Sequence, residues 1–250
     1  MDSFAHYIPN FFFILLRAGI VLGMLPVFGS ANFPPQFRIG LAVAVALILA
    51  PVVDLSVPKI PIPAVVMREV LFGMIFGLAA RFVFYAVDMA GQVMSNATGI
   101  SMAQSFNPEI GQSTELSSLY SIITMLLFLT MDAHHDLIAL FVKSYEWLPL
   151  GTINALGLLT AGVGFVTKIF VIALKISAPV IIIMLLTNLL LGFIYKAAPQ
   201  MNVFFVGYPL YLFLGFLVML MSLPVFAYVM GGYFSSIPEE MGRVLLLMKG

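Results

Sequence analysis

The chain has 250 residues, of which 62% are hydrophobic and 9% are charged, and its formal net charge is zero. This composition is typical of an integral membrane protein and excludes an ordinary soluble domain. A neutral chain gives no sign of a nucleic-acid or acidic-substrate partner. Because cysteine is absent, disulfides, thiolate metal sites and cysteine nucleophiles are excluded as well.

The first part of the chain predicts three long apolar helices. A first span covers about 8–28 and a second covers about 39–53, and the short link between them predicts an antiparallel hairpin. A third helix follows a proline-rich connector and runs from about 64 to 94. Roughly thirty residues give a helix of about 45 Å. A bilayer core is only ~30 Å thick, so this helix has to tilt or protrude.

A segment of small, amide-bearing and hydroxylated residues, from Asp88 to Gly111, follows. Gly99 and Pro108 are expected to break the helix. Irregular backbone cannot face lipid, because each unpaired N–H or C=O group costs several kcal/mol there. The segment is therefore either a solvated loop between membrane helices or a pore or gate element. The second interpretation is favoured by apolar side chains that a solvated loop does not need: Ile100, Met102, Phe106 and Ile110.

A fourth span, at about 116–129, is interrupted by a polar stretch with Asp132, His134 and His135, and a partly amphipathic piece continues to Trp147. The adjacent histidines suggest a metal site or acid–base chemistry. Neighbouring residues of a helix project about 100° apart, however, and the sequence shows no third ligand of suitable spacing. It also shows no nucleotide-binding loop and no supported nucleophile. We predict no enzyme activity, no metal and no cofactor.

The last part of the chain is the most apolar. Apolar residues run from Leu156 to Lys196, which is too far for one crossing, and kinks or breaks are expected at Gly162, Gly164 and Pro179. A polar corner at 198–202 precedes a last span at about 203–229. The tail from Ile237 has the spacing of an amphipathic helix, suited to the membrane surface or to a partner helix.

Charged residues inside the predicted spans need a polar environment, because an ionisable group near the bilayer centre costs about 2.5–3.5 kcal/mol. A spacing of seven puts Arg81 and Asp88 on one helix face, and Asp88 could pair across helices with Lys168 or Lys175. Two interpretations remain for the whole set, contact with a partner or a lumen and snorkelling to the interface. The set comprises Arg17, Arg68, Glu69, Arg81, Asp88, Lys168 and Lys175.

These elements predict an all-α membrane protein of about six long, kinked apolar helices arranged as hairpins, with an irregular central loop and a C-terminal amphipathic helix. We treat 1–250 as a single integral membrane domain, with N-terminal hairpins (1–97), a plug-like loop (98–115) and C-terminal hairpins with the amphipathic tail (116–250). One function that fits is an ion or solute permease with a charged relay at the membrane midplane. It predicts inverted repeats, which the sequence does not show.

Three groups of short motifs carry a resemblance to a known family. Leu-Leu-Arg-Ala-Gly (15–19) leads to Pro-Val-Phe-Gly-Ser (26–30), and Ala-Gly-Gln (90–92) leads to Gly-Ile-Ser-Met-Ala (99–103) and Phe-Asn-Pro (106–108). Ala-Pro-Gln-Met-Asn-Val-Phe (198–204) continues into Gly-Tyr-Pro-Leu (207–210). Together they resemble the FliR family, the R subunit of the flagellar type III protein export gate. The corner is the most specific part, with Ala198, Pro199, Gln200, Gly207 and Pro209. The injectisome counterpart shares Ala-Pro-Gln-Met-Asn, and Gly-Tyr-Pro-Leu favours the flagellar branch.

The resemblance implies a component of the flagellar type III protein export gate in the bacterial inner (plasma) membrane, within the flagellar basal body. Its partners would be the P and Q subunits, the B and A export subunits, membrane lipid and exported unfolded flagellar proteins. In the family, the segment matching 99–111 forms a plug inside the export channel, with Gly99 and Gly111 as flexible ends. The plug residues carried over to this chain are Gly99, Ile100, Ser101, Met102, Phe106, Asn107, Pro108 and Gly111.

Overall fold

The chain is helical throughout the residues that a computed structural model describes, which are 2–26, 34–53, 61–101, 115–150, 154–200 and 202–249. In chain order the helices are α1 (Asp2–Met24), α2 (Pro35–Leu49), α3 (Ile62–Thr98), α4 (Glu115–Thr130), α5 (Ala133–Trp147), α6 (Ala155–Ala197), α7 (Val203–Ser235) and α8 (Ile237–Lys249). These ranges contain no strand. The predicted all-α membrane fold is confirmed.

Fewer helices than predicted are long enough to cross a membrane. Within the described residues, three qualify by length and composition: α3, Leu156–Ala197 of α6 and Phe205–Ser235 of α7. A fourth is added if α4 and α5, which are bent by 69° at their junction, count as one span. The prediction of about six long helices is therefore wrong. The apolar stretches of α1 and α2, Pro9–Met24 and Pro35–Leu49, fall short of the ~20 residues that a spanning helix needs.

The long apolar run after residue 155 forms one helix, α6, of 43 residues. Gly162, Gly164 and Pro179 all lie inside this helix, so the expected breaks are wrong, whereas the alternative expectation of kinks stays a prediction. A glycine inside a helix costs only about 1 kcal/mol of helix stability. A single proline removes one helical hydrogen bond, and the apolar turns on either side keep the helix continuous despite that loss. At 1.5 Å per residue the helix is about 65 Å long, so it extends beyond any bilayer core.

The chain divides into two compact units. Unit 1 comprises Met1–Phe82, Phe128–Thr167 and Phe234–Gly250, and unit 2 comprises Val83–Leu127 and Lys168–Tyr233. The long helices α3 and α6 contribute residues to both units. The division predicted from the sequence, into 1–97, 98–115 and 116–250, stays a prediction.

In unit 1, α1 packs closely along α3 in the same chain direction. Ile20 lies over Gly73, where an added Cβ would be 2.6 Å from Ile20 Cγ2, and Met24 lies over Gly77 in the same way, one turn further along both helices. Glycines four residues apart remove the side chains that would hold two helices apart. The parallel register that this contact sets also places Arg17 of α1 opposite Glu69 of α3.

The C-terminal helix α8 is amphipathic, as predicted, and its apolar face is covered within the chain. The buried side chains are Ile237, Met241, Val244, Leu245 and Met248. Helix α5 packs against α8, and Asn154 donates its backbone N–H to the carbonyl oxygen of Met248 at 2.9 Å. The face that we expected to meet the membrane surface or a partner helix therefore belongs to the core of unit 1.

Candidate functional site at the ends of the polar segment

The plug-like part of the polar segment, residues 98–115, is described only at its edges. The name polar segment refers to these residues from here on. Gly99, Ile100 and Ser101 follow α3 directly and are half-buried. The other predicted plug residues, Met102, Phe106, Asn107, Pro108 and Gly111, lie outside the described residues. The described edges are the end of α3 and the start of α4.

Helix α3 ends in a defined left-handed turn at Gly99. This residue has a φ of +78°, a conformation that costs an L-residue about 1–2 kcal/mol and glycine almost nothing. Its N–H donates to the carbonyl oxygen of Asn96 at 3.3 Å, and the N–H of Ser101 donates to that of Ser95 at 3.4 Å. These bonds satisfy the last carbonyl groups of the helix. The polar segment therefore starts from a fixed point.

The helices on either side of the polar segment touch through their backbones. An added Cβ at Gly91 of α3 would collide with the Cα of Ser117 in the first turn of α4. Only a residue without a side chain allows this approach. The helix that follows the polar segment, α4, therefore packs directly on α3, the helix that precedes it.

The start of the polar segment also lies against α7. A Cβ at Gly99 would be 3.5 Å from Cε2 of Tyr208. One residue earlier, the methyl group of Thr98 fills the space over Gly215, where a Cβ would be 2.5 Å from Thr98 Cγ2. The hydroxyl of Thr98 donates to the carbonyl oxygen of Met94 at 3.0 Å. Gly99, the first residue after α3, is therefore positioned by the end of α3 and by α7.

The corner between α6 and α7 holds the residues of the most specific motif. Ala198 follows the last residue of α6 and donates its N–H to Ile194 at 2.8 Å, whereas Pro199 and Gln200 are exposed in the turn. Gly207 is buried, and an added Cβ there would be 3.1 Å from the hydroxyl of Tyr195. Pro209 lies exposed near the start of α7.

A hydrogen bond closes this α6–α7 hairpin further along. The hydroxyl of Tyr211 donates to Oδ1 of Asn188 at 2.6 Å. The corner motif thereby fixes the start of α7, which carries Tyr208 to Gly99. The structure brings together two groups that the sequence singled out separately, the corner and the beginning of the polar segment.

In unit 1, two of the predicted membrane charges form a buried ion pair with each other. Arg17 Nε donates to Glu69 Oε2 at 2.6 Å and Arg17 Nη2 donates to Oε1 at 3.0 Å. Both residues have no solvent exposure. Arg17 and Glu69 therefore form an ion pair inside the chain, because the α1–α3 register puts them opposite each other.

The remaining donors of Arg17 bind α5 and the residue that follows it. Nη1 donates to the carbonyl oxygen and to Oγ of Ser144, both at 3.4 Å, and Nη2 donates to the carbonyl oxygen of Leu148 at 3.2 Å. The guanidinium lies 4.5 Å from the ring centroid of Phe72 and 4.4 Å from that of Tyr145. Bidentate pairing and ring contacts on both faces match what a desolvated arginine requires. No sequence pattern pointed to Ser144 or Leu148 as partners, which lie far from Arg17 in the chain.

The other predicted charges have more exposed surroundings. Arg81 Nη2 donates to the carbonyl oxygen of Leu25 at 3.3 Å, and Asp88 accepts a 3.0 Å hydrogen bond from Gln92, one turn further along α3. Lys175 is exposed, whereas Arg68 and Lys168 are half-buried.

Comparison with known proteins identifies the family. The family described as "Bacterial export proteins, family 1" matches residues 8–237, which includes the polar segment, the corner and the buried ion pair. The chain belongs to this family. The FliR resemblance recognised from the motifs is thereby confirmed.

Relatives named flagellar biosynthetic protein FliR match this family member over most of their length. The protein of Caulobacter vibrioides is 33% identical, covering 86% of this chain and 89% of its own. That of Bacillus subtilis is 30% identical and covers 99% of both chains. That of Escherichia coli is 30% identical, covering 90% of this chain and 88% of its own. The permease interpretation is not favoured by these matches.

Proposed function

We propose that the chain is a component of the flagellar type III protein export gate in the bacterial inner membrane, and that residues 98–115 plug its channel for unfolded flagellar proteins. Membership of the export gate is supported by the export-family match over residues 8–237. It is also supported by relatives named flagellar biosynthetic protein FliR, of which that of Bacillus subtilis aligns over 99% of both chains. In this role the chain catalyses no reaction. The family resemblance assigns the energy source to an associated ATPase and the proton-motive force.

The plug proposal is supported by the way in which the polar segment is held. A channel for unfolded protein has to stop ions when idle and then let a chain pass. A loop whose ends are fixed can move in its middle without unfolding the helices that carry it. The backbone contact between Gly91 and Ser117, the left-handed turn at Gly99 and the contact of Gly99 with Tyr208 fix those ends.

The exposed apolar faces of the chain suit other gate subunits as partners. In the most apolar window of α3, 56% of the residues are buried inside the chain, but the share falls to 33% in α6 and to 17% in α7. Helices α6 and α7 therefore need cover from outside the chain, which we assign to the P and Q subunits and to lipid. Their large exposed side chains include Leu189, Phe193, Phe205, Phe213, Leu220 and Tyr228.

Native mass spectrometry of the gently solubilised protein tests membership of the gate. The chain is co-expressed with the P and Q subunits, and the released complexes are weighed. The proposal predicts a hetero-oligomer that contains one copy of this chain and several copies of both subunits. A homodimer or a lone monomer, with P and Q forming their own complex, would contradict it.

Cross-linking to a stalled export substrate tests the position of the polar segment. Because the chain has no cysteine, Phe106→Cys introduces a single reactive thiol. We expect this variant to cross-link to a cysteine-bearing substrate that is arrested during export. The matched control, Tyr228→Cys at an 85% exposed position of α7, should not react. Cross-linking of the control alone would place the substrate path elsewhere.

A further inference from the structure

Three side chains of types that bind metals meet at the junction of α4 and α5, and neither feature described above uses them. Asp132, His134 and His135 each offer one donor atom, and these three atoms all lie within 4.8 Å of one another. Nδ1 of His135 is 3.5 Å from Oδ1 of Asp132. The ring centroids of the two histidines are 4.1 Å apart. All three residues belong to unit 1.

The backbone at Asp132 brings these groups together. Asp132 has a φ of +55°, a left-handed conformation that is uncommon for a residue with a side chain. It directly precedes the first residue of α5, where an aspartate usually caps the helix, yet within the described part of the chain its side chain makes no capping hydrogen bond. The carboxylate turns towards His135, whose N–H donates to the Asp132 carbonyl oxygen at 2.9 Å.

His134 has a ring nitrogen that lacks a partner. Its Nδ1 is buried and forms no hydrogen bond with any described residue. A buried polar nitrogen without a partner is unfavourable, and native structures usually satisfy such atoms with protein, water or an ion. His134 belongs to the same three-residue cluster, so a cation bound there would give its imidazole a partner and would also use the Asp132 carboxylate, which does not cap the helix.

We propose that Asp132, His134 and His135 bind a divalent transition metal, with Zn²⁺ as the best match. Two imidazoles and one carboxylate are donors of the borderline type that Zn²⁺ accepts, whereas Mg²⁺ and Ca²⁺ prefer oxygen ligands. For Zn–N and Zn–O distances of about 2.0–2.2 Å, the ligand atoms of a tetrahedral site are about 3.4 Å apart. The 3.5 Å separation between His135 Nδ1 and Asp132 Oδ1 agrees with that edge, and the three donor atoms, which lie within 4.8 Å of one another, need side-chain rotation to reach it throughout.

The proposal replaces the sequence-based prediction of no metal site. That prediction assumed that both histidines project from a regular helix about 100° apart and that no third ligand is near. Both histidines do lie in the helix, but the left-handed residue before it, Asp132, brings its carboxylate near their rings and supplies the third ligand. Asp132 and His135 are exposed, so an ion can reach the cluster from solvent. A bound ion would hold the turn at Met131–Asp132 against the first turn of α5. This proposal does not depend on the proposed export function.

Zn²⁺ titration of the full-length protein tests this site. The protein is purified without a histidine tag, reconstituted in nanodiscs and titrated with Zn²⁺ against a chromophoric chelator. We expect one Zn²⁺ per chain, and at least about tenfold weaker binding in Asp132→Asn and His135→Asn, because even the loss of an outer-shell partner costs 10–100-fold. Excess Mg²⁺ should not displace the ion, and Co²⁺ should give the visible absorption of a nitrogen- and oxygen-ligated site.

Two matched variants control for non-specific binding. His6→Asn removes the remaining histidine of the chain, and Asp136→Asn removes an exposed carboxylate next to the cluster that does not belong to it. Both should bind Zn²⁺ like the unchanged protein. Zn²⁺ should also raise the thermal unfolding temperature of the unchanged protein and of these controls, but not that of Asp132→Asn. Absence of binding, or equal affinity in cluster and control variants, would overturn the proposal.

Discussion

Gly99 lies against the ring of Tyr208, so that a Cβ at residue 99 would be 3.5 Å from Tyr208 Cε2. This contact joins the first residue after α3 to the start of α7, two places that are far apart in the sequence. Tyr208 belongs to the motif that follows the corner between α6 and α7, so the contact links that corner to the start of the polar segment. The corner fixes where α7 begins, and α7 supports the segment.

Gly99→Ala should destabilise unit 2. The added methyl group has space beside Tyr208, so the cost comes from the left-handed backbone and should be about 1–2 kcal/mol. Gly99→Asn should cost less, because asparagine tolerates this conformation. Thermal unfolding in one detergent measures the effect. Gly192→Ala is the control, since a Cβ there has no described atom within 4 Å, and it should be neutral or slightly stabilising.

Gly91→Ala should separate α3 from α4. The methyl group would collide with the backbone of Ser117, which cannot move without shifting the whole helix. We expect a lower unfolding temperature and increased proteolysis between the two helices. Gly164→Ala makes the same change in a helix at an exposed position where no described atom lies within 4 Å. It should raise stability by up to about 1 kcal/mol, and equal effects of the two substitutions would contradict the close contact.

Glu69→Ala should destabilise unit 1 by about 3–5 kcal/mol, because Arg17 would remain buried without its carboxylate. The double variant Arg17→Met, Glu69→Leu should lose much less than the sum of the two single changes, since a buried pair can be replaced by apolar groups of similar size. Arg17→Lys should lose the bidentate bond and both ring contacts. Thermal unfolding of the unchanged protein, Glu69→Ala, Arg17→Lys, the double variant and its two single variants, Arg17→Met and Glu69→Leu, provides the comparison.

The exposed pair Arg243–Glu239 is the matched control for the buried one. Its N–O distance is also 2.6 Å, but its side chains are 63% and 69% exposed. Glu239→Ala should therefore change stability by less than about 1 kcal/mol. A similar loss at Glu69 and Glu239 would show that burial does not decide the strength of these pairs.

Tyr208→Ala should loosen the start of the polar segment while leaving the α6–α7 hairpin assembled, because Tyr211 and Asn188 still close it. If the segment plugs the channel, resting membranes that carry this variant should leak ions more than those with Tyr208→Phe, which keeps the ring. Tyr228→Ala, at an 85% exposed position, controls for the loss of a tyrosine from α7. Ion flux from loaded cells or vesicles measures the difference.

The positions of the helices follow from the sequence because apolar composition and turn residues fix them. The third helix was expected at 64–94 and is Ile62–Thr98, and the fourth was expected at 116–129 and is Glu115–Thr130. Breaks were overestimated in α6, since Pro179 removes only one helical hydrogen bond and Gly164 only lowers helix propensity, while the apolar turns on either side continue the helix.

Contacts between distant residues could not be predicted in the same way. Arg17 was expected to need a polar environment, but only the packing of Ile20 and Met24 over Gly73 and Gly77 shows that Glu69 provides it. A Gly-x-x-x-Gly pattern at 73–77 was present in the sequence and is the signal that could have placed α1 on α3. The cluster around Asp132 depends on one left-handed residue, which a helical-wheel argument does not foresee.

Electrical conductance of the assembled gate tests the central proposal most directly. Residues 102–110 are deleted or replaced by a glycine–serine sequence of the same length, which keeps Gly99 and the contact between Gly91 and Ser117. With assembly verified by native mass spectrometry, the account predicts that both variants conduct ions at rest whereas the unchanged gate is closed. Equal resting conductance of the unchanged and altered gates would contradict the plug.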